Sequence, residues 1–234
     1  MSVAANIASI RERIATAADR AGRSPVDITL MAVTKTQPPE HIREAYDAGQ
    51  RLFGENRVQE FAAKASALQD LPDAQWHMIG HLQTNKAAKT VELFRAVDSV
   101  DSLKLAEKLD AAAGQLGRKL DVLIEINVGG ESAKSGVAPN SAALEELLLA
   151  APRIEAIVFR GLMTVPPFTE DPEGARPYFR KLRELRDAIA ARKLPGVAMS
   201  QLSMGMSHDF EVAIEEGSTC VRVGTAIFGE RRKT

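Results

Sequence analysis

Cysteine is nearly absent: Cys220 is the only one in 234 residues. A single thiol makes neither an internal disulfide nor a cysteine-based zinc site. Within the apolar run 219–223 it reads as a small core residue. Excess charge is missing too. Lys plus Arg number 30 against 31 for Asp plus Glu, a formal net charge of −1. That balance gives the whole chain no electrostatic pull toward nucleic acid or an anionic membrane, and neither is expected as a partner. No apolar stretch approaches the roughly 20 residues that span a bilayer. The opening segment lacks the charged-then-apolar order of a signal peptide, and Glu12 and Asp19 argue against a transit peptide. A reducing cytoplasm is the expected location.

What is present is an alternation. Apolar residues make up 45% of the chain, enough for a sizeable core. Val3, Ile7, Ile10 and Ile14 lie on one face of an opening helix, 3–21, which Gly22 ends. Strands are then expected at 28–34, 51–54, 75–79, 96–100, 120–128, 154–163, 197–203 and 219–223. Helices are expected between them at 38–49, 56–68, 85–94, 102–114, 140–150, 174–191 and 209–216. The strands are mostly continuous apolar runs, as in parallel strands covered on both faces. Eight such strands point to a closed (β/α)8 TIM barrel, with an open doubly wound sheet as the alternative. The opening helix could pack where the eighth barrel helix would otherwise sit. No Pro/Gly/Ser linker divides the pattern, so one domain over 1–234 is expected.

Barrels of this kind carry their chemistry at the C-terminal ends of the strands. Lys35 follows the first strand. A lysine at the end of an apolar strand is costly unless paired, solvated or used, and desolvation makes its amine nucleophilic. The competing reading is a lysine that extends its head group to solvent. After strand seven, the segment from Ser203 through Met204, Gly205 and Met206 to Ser207 offers two hydroxyls and a glycine. Gly224 and Thr225 follow strand eight. These two neighbouring turns suit a phosphate, although Ser207 or Thr225 could simply cap a helix. Arg222 should point inward from strand eight, either beside a ligand or in an ion pair with Glu55 or Glu125. His77 and His81 lie four apart, but one is in a strand and one in a turn, so no metal site is expected. His208 and Asp209 should begin a helix, and His41 should lie on the surface.

Seven stretches together resemble the pyridoxal phosphate (PLP) homeostasis protein family. They are AVTKTQP at 32–38, FGENRVQE at 53–60, WHMIGHLQTNK at 76–86, VDSVDS at 97–102, EINVGGESAKSG at 125–136, GLMTVPP at 161–167, and LSMGMSHDFEVAIEEGSTCVRVGTAIFG at 202–229. The resemblance implies an alanine-racemase-like barrel without the racemases' second, β-rich domain. It implies PLP as a Schiff base on Lys35. It also implies phosphate contacts from Ser203, the backbone around Met204 and Gly205, Gly224 and Thr225. Arg222 would lie near the pyridine nitrogen, with Asn56 and His81 near the cofactor and Lys134 as a secondary contact. The C-terminus is short, so no role is expected for its basic tail residues.

The implied role is a PLP carrier in vitamin B6 homeostasis, with apo PLP-dependent enzymes as possible recipients; the resemblance favours a monomer. The alternatives are a PLP-dependent racemase or aldolase, and a cofactor-free lysine aldolase. A racemase needs a base on each face of the substrate carbon. The usual second base of such racemases is a tyrosine, and the two tyrosines here, Tyr46 and Tyr178, fall on expected exterior helix faces.

Overall fold

A computed structural model describes residues 2–131 and 134–230. Ser132, Ala133 and the basic tail 231–234 lie outside the described residues. The first helix, α1 (Val3–Arg20), is capped by the Ser2 hydroxyl, which accepts from the Ala5 N–H at 3.2 Å. Val3, Ile7, Ile10 and Ile14 are buried along one side, each apolar side chain worth about 2 kcal/mol. Gly22, at φ 64°, ends the helix in a conformation that suits glycine.

The order then is β1 (Thr29–Val33), α2 (Pro39–Asp47), β2 (Leu52–Glu55), α3 (Val58–Ala65), β3 (Gln75–Met78), α4 (Ala87–Leu93), β4 (Ala96–Val100) and α5 (Leu103–Gln115). It continues with β5 (Leu120–Glu125), α6 (Ala142–Ala150), β6 (Ile157–Met163), α7 (Arg176–Ala191), β7 (Val197–Ser203), α8 (Phe210–Glu215), β8 (Cys220–Val223) and α9 (Thr225–Phe228). The eight strands are parallel and form a closed barrel in sequence order, with β8 returning to β1 through pairs such as Leu30 with Val221. The closed (β/α)8 barrel is therefore the architecture, not the open sheet.

Helix α1 packs against α2, α8 and α9, which puts it in the eighth helical position behind β8. Asn6 fastens it there, donating from Nδ2 to the Ile227 carbonyl at 2.8 Å. The short α9 is an element beyond the seven expected inter-strand helices. Phe53 on β2 stacks on Trp76 on β3 at a centroid distance of 4.8 Å, and Phe61 on α3 meets the same indole tilted at 4.5 Å, joining sheet to helix. No helix among the described residues is long and apolar enough to cross a membrane.

Two boundaries differ informatively from the sequence reading. Strand β5 stops at Glu125, not at residue 128. Beyond it the chain loops back, and the Val137 N–H donates to the Glu125 carbonyl at 2.9 Å. Gly136 permits this return: a Cβ there would lie 2.9 Å from the Asn127 nitrogen. Strand β6 begins at Ile157 because residues 151–153 form a 3-10 turn after α6.

Candidate functional site

Lys35 is half-buried, two residues beyond β1 at the C-terminal mouth of the barrel. It sits in a turn closed by the Gln37 N–H donating to the Thr34 carbonyl at 3.0 Å. The next residue, Thr36, has φ 63°, a left-handed conformation that a β-branched residue rarely adopts. Such strain costs on the order of 1–3 kcal/mol and persists only where surrounding contacts enforce it.

Across the mouth, Arg222 is buried in β8. Its Nη1 donates to the Ser203 hydroxyl at 2.7 Å and its Nη2 to the Thr164 carbonyl at 2.7 Å. Glu55, one of the two carboxylates considered for Arg222, pairs instead with Lys64 at 2.7 Å. Glu125, the other, closes β5 and is buried, with Oε2 lacking any hydrogen-bond partner. Burial pushes its carboxyl up to about 7, with Asp101 adding to the effect and Arg222 and His81 opposing it.

The loops after β7 and β8 meet at Ser207. Its hydroxyl oxygen lies 3.3 Å from both the Gly224 and Ala226 N–H groups, which donate to it. Gly205, at φ 93°, lets the first loop pass: a Cβ there would come within 2.5 Å of the Ala213 Cβ. Two expected phosphate contacts have other engagements. The Ser203 hydroxyl is buried against Arg222, and the Met204 N–H donates to the Cys220 carbonyl at 3.1 Å. Thr225 is exposed at the start of α9. Asp209, whose carboxyl burial pushes up, accepts from the Met206 N–H at 2.6 Å and fixes the rest of the loop.

The family model for the N-terminal domain of alanine racemase matches residues 5–232. A pyridoxal phosphate homeostasis protein of Aquifex aeolicus is 49% identical over 233 residues, 99% of this chain and 100% of that one. The chain belongs to the pyridoxal phosphate homeostasis protein family. The Escherichia coli family member is 43% identical over 98% of this chain and 97% of its own. PipY of Synechococcus elongatus, solved with PLP bound, superposes with a TM-score of 0.84 at 39% identity, covering 97% of this chain and all of that one. An alanine racemase of Streptomyces coelicolor shares the fold, with a TM-score of 0.70 at 22% identity, but only 58% of its chain is matched.

The other positions implied by the family likeness are spread around the same mouth. Asn56 follows β2, and its backbone lies so close to Gly80 that a Cβ on Gly80 would be 2.4 Å from the Asn56 carbonyl oxygen. His81 is largely exposed and pairs with Asp101 at 3.2 Å, whereas His77 pairs with Asp98 at 3.1 Å. The two histidines are thus held by different carboxylates. Lys134 donates to the Pro166 carbonyl at 3.2 Å and pairs with Glu131, so it ties the loop after β5 to the loop after β6. A cavity of about 270 Å³ opens there, lined by Glu125, Asn127, Lys134 and Val165 among others.

In the sequence, Ser207 stands as one of two hydroxyls in its loop or as a helix cap, and Lys64 is not singled out. A signal for Lys64 existed. It falls three residues after Phe61 and six after Val58 on the buried side of α3, where a lysine needs a partner.

Proposed function

We propose that this chain holds PLP at the C-terminal mouth of its barrel, covalently on Lys35, and serves PLP homeostasis by keeping and handing on the cofactor. The observation that carries this reading is the convergence on one mouth of a half-buried lysine, a buried guanidinium and a hydroxyl backed by two N–H groups. When bound, PLP supplies an aldehyde that condenses with an amine, and Lys35 is the amine. Ser207, Gly224 and Thr225 are the residues to hold the phosphate, at the start of α9 where N–H groups favour an anion. Gly205 shapes the loop that carries Ser207, and Ser203 orients Arg222. Asn56, His81 and Lys134 line the approach.

The group fits what these residues lack. The Glu125 Oε2 atom is buried without a partner, and such an atom is costly until a ligand or solvent donor meets it. Arg222 does not give up its proton. Facing a pyridine nitrogen, it leaves that nitrogen without a proton and weakens the cofactor as an electron sink.

That consequence favours a carrier over a racemase or aldolase. The chain's two tyrosines support the same view. Tyr46, on α2, lies under the Arg51 guanidinium at 3.9 Å, and Tyr178, on α7, packs against the core. Neither supplies a base at the mouth. The chain acts as a cytoplasmic monomer of one barrel domain, and apo PLP-dependent enzymes are its recipients. The test is borohydride reduction of the PLP-loaded protein followed by peptide mapping. The adduct is expected on Lys35, and an adduct confined to another lysine would falsify the assignment. Exchange of an amino acid's α-proton in deuterated water would return the racemase reading.

A further inference from the structure

Residues 34–37, the turn that carries Lys35, are gripped from outside the barrel by three charged side chains. Lys64 Nζ donates to the Thr34 carbonyl at 2.9 Å and to the Gln37 carbonyl at 3.4 Å, the two ends of the turn. The same Nζ lies 2.7 Å from Glu55 Oε1 and 3.7 Å from Glu60 Oε1. Glu55 Oε1 also accepts from the Thr34 hydroxyl, and Glu60 Oε1 accepts from the Thr36 N–H. Glu60 and Lys64 are one helical turn apart on α3, so they reach the loop together. Glu55 is fully buried and Lys64 nearly so.

A buried ion pair is weak evidence for stability, because desolvation offsets most of the attraction. This pair does something more specific. The backbone groups that Lys64 reaches belong to the turn at Lys35, and Glu60 beside it accepts from the N–H of Thr36, the residue in a left-handed conformation. A threonine at that position is unfavourable on its own, and here it is enforced by groups from β2 and α3.

We propose that Glu55, Glu60 and Lys64 are positioning residues for Lys35: they lock the turn from which its amine is presented. The proposal rests on the reading of Lys35 as the cofactor lysine for its importance, but its test does not need PLP. The purified full chain is methylated with isotopically labelled formaldehyde and cyanoborohydride, and the resonances of modified Lys35 and exposed Lys104 are compared. A locked lysine gives a resonance displaced from that of Lys104. The displacement is expected to persist in Glu60→Gln, which keeps an acceptor for Thr36. It should collapse in Glu60→Ala and in the double variant Glu55→Gln with Lys64→Met.

The double variant removes both buried charges together, so it avoids the unpaired carboxylate that Lys64→Met alone would leave. In both collapsing variants, PLP loading followed by absorbance should slow about tenfold, the scale expected when a reacting group is displaced by less than an ångström. A wild-type resonance coincident with that of Lys104 overturns the proposal, as does an unchanged displacement in both Glu60→Ala and the double variant. If the resonances respond as expected while the wild type fails to take PLP on Lys35, the cofactor reading falls and the positioning role stands.

Discussion

The barrel is polar at both of its ends, yet the two ends treat their polar groups differently. At the N-terminal mouth a cavity of about 570 Å³ is lined by His77, Asp98, Asp121, Gln201 and Cys220, among others. Two of its charged or titratable groups are matched within the protein: His77 with Asp98 at 3.1 Å, and Asp121 with Arg160 at 2.9 Å. Burial, with Asp98 adding to it, pushes the Cys220 thiol up to about 12, which keeps it protonated and inert.

At the C-terminal mouth the matching stops short. Among the described residues, the buried side-chain atoms without a partner are Glu55 Oε2 and Glu125 Oε2, and both belong to the last residue of a strand. Polarity alone therefore does not distinguish the two ends of this barrel. Unmet hydrogen-bonding capacity does.

The sharpest way to break this contrast is Lys35→Ala. It should abolish the borohydride-stable PLP adduct, whereas any substitution at the N-terminal mouth should leave that adduct intact; mass spectrometry of the reduced protein decides.

Next in size is Glu125→Gln. The folded chain keeps a proton on Glu125 up to about 7, against an ordinary value of 4.5. Folding thus favours the protonated form. The stability tied to that proton is complete below the unfolded value and is lost as pH rises through the folded one. Glu125→Gln should match the wild type in urea unfolding near pH 4. At about pH 8 it should exceed the wild type by up to about 3 kcal/mol. Equal stabilities at the higher pH would mean that the unpartnered oxygen is well solvated.

Ser207→Ala should weaken PLP about tenfold while leaving pyridoxal, which lacks the phosphate, unaffected. Equal losses for both ligands in a fluorescence titration would move the phosphate elsewhere. The smallest effect belongs to the matched end. Asp121→Asn breaks a partly exposed pair and should cost no more than about 1 kcal/mol, with PLP affinity unchanged. A substantial loss of affinity there would erase the distinction between the two mouths.

The fold was largely legible in the sequence because parallel strands buried on both faces announce themselves as apolar runs. The opening helix was legible from Val3, Ile7, Ile10 and Ile14, and the expectation that it could take the eighth position is met by its packing on α8 and α9. The site was legible in composition more than in arrangement. Ser203 and Ser207 look equivalent in the chain, yet Ser203 is the last residue of β7, paired with Cys220, and its side chain is directed at Arg222. Ser207 lies beyond the strand, free of that register, and meets Gly224. The partners of Glu55 were hidden for another reason. Its contact with Lys64 crosses from strand to helix, and no local period encodes such a pairing. Strand β5 was read too long because its apolar run continues through Val128, whereas the return at Gly136 depends on a backbone approach that hydropathy does not report.

Helix α1 stands behind β8, and its Asn6 is bonded to Ile227, 221 residues away in sequence. Closing so wide a loop is entropically costly and slow. The short helix that begins beside Ser207 thus gains its outer support only when segments far apart in the sequence meet. The turn at Lys35 is closed by near neighbours in sequence, whereas the far side of the mouth is completed by a long-range contact.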